Sequence, residues 1–130
     1  IREGWWSRGL GDVSKRQAYE KGIVMSGVSA GAICWFDKGI TDSYAEELAI
    51  IDCLGIVEGI ACPHFDEEKE REPYVNDVID KEIIKSCICI EGYCALHVKN
   101  NIEYSSIDFG NGKKSFKVYK ENNTLKKEVL

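Results

Sequence analysis

Three short apolar runs punctuate the chain, and each gives way to a residue of distinct chemistry. Ile23-Val24-Met25-Ser26 lies between Gly22 and Gly27, Gly59-Ile60-Ala61-Cys62 stops at Pro63, and Cys87-Ile88-Cys89-Ile90 ends at Glu91 and Gly92. Runs this short without polar alternation read as strands buried on both faces of a parallel sheet. Pro63 closes the second run because proline cannot donate to a sheet ladder. Between the second and third runs, Tyr74, Val75, Val78, Ile79 and Ile83 recur at near-helical spacing, and Pro73 suits a first turn, so a helix is predicted over 72–84. Asp12 or Ser14 can cap an earlier surface helix through 15–20, with Gly22 as its stop.

Beyond Gly92 the pattern changes. Segments 93–98, 102–107 and 115–119 read as short strands, separated by Asn100-Asn101 and Gly110-Asn111-Gly112 turns. The polar, turn-rich stretch 39–47 is a predicted loop, 48–57 fits neither period, and the charged end 121–130 reads as a frayed terminus. Together these predict an α/β fold: a mostly parallel sheet with flanking helices, ending in short antiparallel strands, in a single domain over 1–130.

The first run leads into Gly27-Val28-Ser29-Ala30-Gly31, followed by Ala32-Ile33-Cys34-Trp35-Phe36. The second segment is apolar all round, so a helix over 30–36 is expected inside the fold. A sharp strand-to-helix turn tolerates only small neighbours around its strained central residue, and this pattern reads as a nucleophile elbow presenting Ser29. The Ala30 N–H would then contribute to an oxyanion hole. Ordinary tight turns and glycine-rich phosphate loops share the composition.

With 130 residues, 44% hydrophobic and 30% charged, the chain suffices for one domain. Its net charge of −5 argues against a general nucleic-acid or anionic-membrane surface. No apolar run approaches membrane-spanning length, and the opening residues lack a signal-peptide pattern. All six cysteines sit in apolar runs without a C-x-x-C spacing, which favours reduced thiols in a cytoplasmic protein over disulfides or structural zinc. The absence of an initiator methionine, and of a turn or cap before Trp5 and Trp6, reads as the start of a fragment.

Ser29, His64 and Glu91 hold the ends of the three runs, where sites gather in open α/β sheets. A serine needs a base and the base an orienting acid, and Asp42 is a second candidate for that acid. The order Ser29, Asp42, His64 is that of α/β-hydrolases, whereas Ser29, His64, Glu91 puts the acid last. His64 could instead be a turn residue or, with Cys62 and Asp66, a metal ligand. Asp42 could merely cap a turn, and Glu91 could merely be polar at a strand end. His97 reads as a sheet-face residue, and 67–72 as a solvated charged face.

Gly27-Val28-Ser29-Ala30-Gly31-Ala32-Ile33-Cys34-Trp35-Phe36, then Thr41-Asp42-Ser43, then Cys62-Pro63-His64-Phe65-Asp66 with Arg71 downstream, resembles the peptidase E family over about residues 9–98. The resemblance implies a class I glutamine amidotransferase-like fold and a cytoplasmic serine peptidase acting on dipeptides with an N-terminal aspartate, without metal or organic cofactor. It implies Ser29 as nucleophile and His64 as base, and it leaves Asp42 and Glu91 both open as the acid. Arg71 falls where a family arginine lies, and a guanidinium suits a substrate carboxylate, although a surface ion pair is the plain alternative. The only partner expected besides a small peptide is a second copy in a homodimer. Members of the family carry roughly another 80 residues ahead of this point, with a Gly-Gly-Asn segment completing the oxyanion hole, so the resemblance implies that the first strands are missing here. The alternative function is a non-catalytic peptide- or metabolite-binding member of the same fold.

Overall fold

The structure is a computed structural model that describes residues 5–44 and 46–130. Residues 1–4, at the opening read above as the start of a fragment, lie outside the described residues, as does Ala45 in the predicted loop. Helix α1 (Trp5–Glu20) is followed by α2 (Ala30–Ile33), then β1 (Phe36–Thr41), β2 (Ala49–Asp52) and β3 (Val57–Cys62). After α3 (Arg71–Asp80) come β4 (Ser86–Ile90), β5 (Cys94–Lys99), β6 (Glu103–Asp108), β7 (Ser115–Glu121) and β8 (Thr124–Val129).

Six strands form one sheet in the order β2-β1-β3-β4-β7-β8, and β5 and β6 form a separate hairpin. The centre is parallel, with β1 beside β3 and β3 beside β4, while β2 on one side and β7 and β8 on the other run antiparallel. This is the expected α/β architecture, and it gathers the C-terminal ends of β3 and β4 at one rim.

The period-2 rule sorts the central strands into two layers. Cys62, Cys87 and Cys89 face a core with Ile40, Phe65, Val75, Val78 and Ile79, so α3 covers this face. Ala61 and Ile88 face the other way, with Ile33 of α2 and Phe36, against which Leu96 and Tyr104 of the hairpin pack. Burial of both faces explains why β4 carries no polar alternation between Cys87 and Ile90.

Five expectations are corrected. Helix α1 spans Trp5–Glu20, so Asp12 and Ser14 lie within it rather than capping a helix over 15–20. The run 23–26 forms no strand: it pairs with none of the described residues, and Val24 is 92% exposed. Strand β1, the next strand along the chain, is already paired with β2 and β3 on its two sides, so the run cannot join the sheet beside it. The helix after Ser29 stops at Ile33, and Phe36 instead opens β1, which occupies residues predicted as a helix end and loop. Helix α3 starts at Arg71 and ends at Asp80, short of the predicted 84. Finally, 124–129 is an ordered edge strand rather than a frayed end. Lys127 anchors it by lying over the Phe65 and Phe116 rings at 4.9 and 4.3 Å and reaching Glu72 at 3.6 Å.

Candidate active site

Ser29 sits at the N-cap of α2 with φ 54° and ψ −120°, a backbone conformation that costs a non-glycine residue roughly 1–3 kcal/mol. The turn is tight because the Gly31 N–H reaches the Val28 carbonyl at 2.9 Å, and those of Ala32 and Ile33 reach the Ser29 carbonyl at 2.9 and 3.1 Å. A Cβ on Gly27 would lie 1.9 Å from the Gly31 oxygen, so crowding makes the first glycine obligatory. At Gly31 a Cβ would meet nothing within 4 Å, and the second small position carries no such demand within this chain. The Ala30 N–H stands at the first position of α2, ahead of the helix's own ladder and without an intrahelical partner.

His64 lies two residues beyond β3, also in a left-handed conformation, φ 53°. Its carbonyl accepts the N–H groups of Glu67 and Glu68 at 3.1 and 3.2 Å, forming a compact turn that throws the imidazole back toward α2. The ring Nε2 is 2.8 Å from Ser29 Oγ, and Nδ1 is 2.6 Å from Glu67 Oε2. Two strained residues 35 positions apart thus meet, and a carboxylate stands on the far nitrogen of the imidazole.

Neither acid named from the sequence touches the His64 ring. Asp42 follows β1 and approaches Arg71, Oδ1 to Nη2 3.7 Å. Glu91 caps the end of β4, where its Oε2 accepts the Lys114 N–H at 2.9 Å. The contact is made by Glu67, inside the run read as a solvated face. The readable signal was a carboxylate three residues after a histidine that closes a buried strand, a spacing that lets one turn return the acid to the ring.

Arg71 is 3% exposed. Its Nε donates to Glu68 at 2.7 Å and its Nη1 to the Ile40 carbonyl at 3.2 Å, while Nη2 faces Asp42. The guanidinium therefore ties the start of α3 to the end of β1 and presents no open face to a ligand. His97 is exposed on β5, as its alternation suggested. Asp66, weighed above as a metal ligand, accepts the Gly92 N–H at 2.7 Å and the Lys113 ammonium at 2.6 Å. Burial pushes its carboxyl up, but those partners outweigh burial and hold it below its ordinary value. No group of three or more histidine, cysteine or acidic side chains among the described residues converges to hold a metal ion.

Next to the turn, a cavity of about 390 Å³ opens between α1 and the sheet, bounded by Lys15, Ala30, Cys34, Thr41, Ser43 and Cys53 among others. No helix among the described residues is long and apolar enough to cross a membrane.

A model of the family described as peptidase family S51 matches residues 4–103. The chain belongs to this family. Over 114 residues it is also 38% identical to a Bacillus subtilis (strain 168) protein named uncharacterized peptidase YgaJ. That match covers 88% of this chain and 49% of the relative, so the chain spans about half the length of the curated relative it matches. The S51 match takes in the Ser29 turn, His64 and Glu67, and Arg71 and Glu91 besides.

Proposed function

We propose that this chain carries the nucleophile and base of a serine-type peptidase acting on short peptides, dipeptides with an N-terminal aspartate being the substrate class favoured by the family resemblance. The observation that carries the reading is the 2.8 Å approach of His64 Nε2 to Ser29 Oγ, each residue held at positive φ in its own turn. In the reaction, Ser29 Oγ attacks the peptide carbonyl and its proton passes to His64 Nε2. The Ala30 N–H donates to the developing oxyanion. As the C–N bond breaks, His64 returns the proton to the leaving amine, and water then cleaves the Ser29 ester by the same exchange in reverse. The six unbridged cysteines fit a reducing, cytoplasmic setting.

The recognition of an acidic N-terminal residue calls for a cation, and the buried Arg71 is already occupied, so specificity is assigned to groups other than its guanidinium. The test is Ser29→Ala in the native polypeptide that carries this chain. Loss of a triad nucleophile typically lowers kcat by about 10⁶-fold, and a drop of that order is expected here. Unchanged hydrolysis of aspartyl dipeptides by a native polypeptide lacking the Ser29 hydroxyl would sink the proposal. A fluorophosphonate should attach to Ser29 in the wild type, since a non-catalytic binding protein would leave that serine unlabelled.

A further inference from the structure

Resting on the reading of Ser29 and His64 as nucleophile and base, we infer that Glu67 is the positioning carboxylate for His64, and that Gly92 is the seat that holds Glu67 there. The sequence offers Asp42 and Glu91, the structure adds Glu67, and the geometry separates the three. Asp42 is turned to Arg71, Glu91 to the Lys114 backbone, and Glu67 alone of the three hydrogen-bonds the imidazole. A carboxylate on Nδ1 keeps the ring proton on that nitrogen. The Nε2 lone pair is then left facing the Ser29 hydroxyl, which is the tautomer a general base requires.

The sequence also provides for the exact placing of this acid. The Phe65 N–H reaches the Ile90 carbonyl at 3.0 Å, and Asp66 accepts the Gly92 N–H at 2.7 Å, so the 64–67 turn is fastened to the end of β4 on both sides of Glu91. Lys113 secures Asp66 from the loop before β7. Between these two ties, the Glu67 side chain lies flat against Gly92. A Cβ on Gly92 would stand 2.5 Å from Glu67 Cδ and 2.6 Å from Oε1. Gly92 has no left-handed φ to account for it. Its glycine character is therefore explained by the carboxylate filling the space where a side chain would begin. Any larger residue makes the flexible Glu67 side chain give way and carries its carboxylate off Nδ1, and a displacement of about 1 Å can cost on the order of 100-fold in rate.

The experiment compares Glu67→Gln, Gly92→Ala and the double variant with Asp42→Asn and Glu91→Gln, all in the native polypeptide. Glu67→Gln keeps the shape of a partly exposed side chain, so folding is retained. It is expected to lower kcat by about 10²- to 10⁴-fold with KM changed less than about threefold, the pattern of a group that acts in the transition state. Gly92→Ala is expected to lower kcat by about 100-fold alone, and by no more than about threefold when Glu67 is already glutamine, because both changes remove one interaction. A Glu67→Gln enzyme within about threefold of wild-type kcat, or a larger loss from Asp42→Asn or Glu91→Gln, overturns the assignment of the acid. An equal cost of Gly92→Ala in both backgrounds overturns the role of Gly92. If Ser29→Ala is fully active, the peptidase reading itself fails, and that outcome is distinct from an inactive Ser29→Ala beside an active Glu67→Gln.

Discussion

The carbonyl oxygen of Gly31 lies 1.9 Å from where a Cβ on Gly27 would be, and this single approach closes the turn that exposes Ser29. Backbone cannot yield as a flexible side chain can, so Gly27→Ala must open the turn. Gly31→Ala, whose added methyl meets open space and whose backbone is helical, should leave it closed. Fluorophosphonate labelling of Ser29 is expected to slow by on the order of 100-fold in the first variant and to stay within a few-fold of wild type in the second. Equal labelling of the two variants would mean that the turn does not depend on this contact.

The turn was legible in the sequence because crowding admits few residue types. The partner of Ser29 was legible too, since His64 follows a buried strand stopped by Pro63. The acid was not. Glu67 belongs to a run of charged residues whose simplest reading is solvation, and its side chain is indeed 40% exposed. What singles it out is the left-handed backbone of His64 and the empty Cβ position at Gly92, and both exist only once the chain is folded.

Arg71 is expected to act on stability. It joins the Ile40 carbonyl to Glu68 and faces Asp42, and removing it leaves a buried carbonyl and a carboxylate without their donor. Arg71→Met should cost on the order of 3 kcal/mol. For a chain of this size that lowers Tm by roughly 10 °C. Arg71→Lys should recover only part of the loss, because an ammonium cannot span both partners as the planar fork does. Calorimetry gives the stabilities. A raised KM for acidic peptides with Tm unchanged would instead make Arg71 a substrate contact.

The parallel centre of the fold was readable at β3 and β4 because burial on both faces suppresses polar alternation. It was misread at 23–26, where the same apolar signal pairs with none of the described residues. Strand β1 was hidden by the opposite effect: Asp37 and Lys38 are exposed at its start, although Ile40 and Thr41 are buried at its end. Strand β8 is an edge, and its lysines and glutamate are the charges that an edge strand carries to refuse further pairing, which in sequence look like a solvated tail.

Acid should loosen the turn that carries His64. The Lys113 ammonium and the Gly92 N–H keep the Asp66 carboxyl below its ordinary value of 3.8 despite the opposing effect of burial. A carboxylate with a depressed folded-state pKa contributes stability that is fully present above the unfolded value and is lost as pH falls through the folded one. Asp66→Asn should therefore lower Tm by a constant amount between about pH 5 and pH 8, with the gap to wild type closing below about pH 4. A gap independent of pH down to about pH 2 would show that Asp66 is not held by charge.

Cys62 and Cys89 stand opposite each other across β3 and β4, fully buried under α3. Burial, reinforced by the neighbouring Cys89, pushes the Cys62 thiol up to about 12. Cys34, just past the helix that starts at the Ser29 turn, is also raised, chiefly by burial. A nucleophilic cysteine needs a lowered pKa, and both thiols are raised, Cys62 being fully buried as well. Iodoacetamide at about pH 8 should leave Cys62, Cys87 and Cys89 unmodified in the native protein. In rising denaturant the three should become reactive together, because they share one core cluster and open only with it. Mass spectrometry of pulse-alkylated protein reads the three sites separately. Modification of Cys62 ahead of Cys87 and Cys89 would show that this core cluster does not open as one unit.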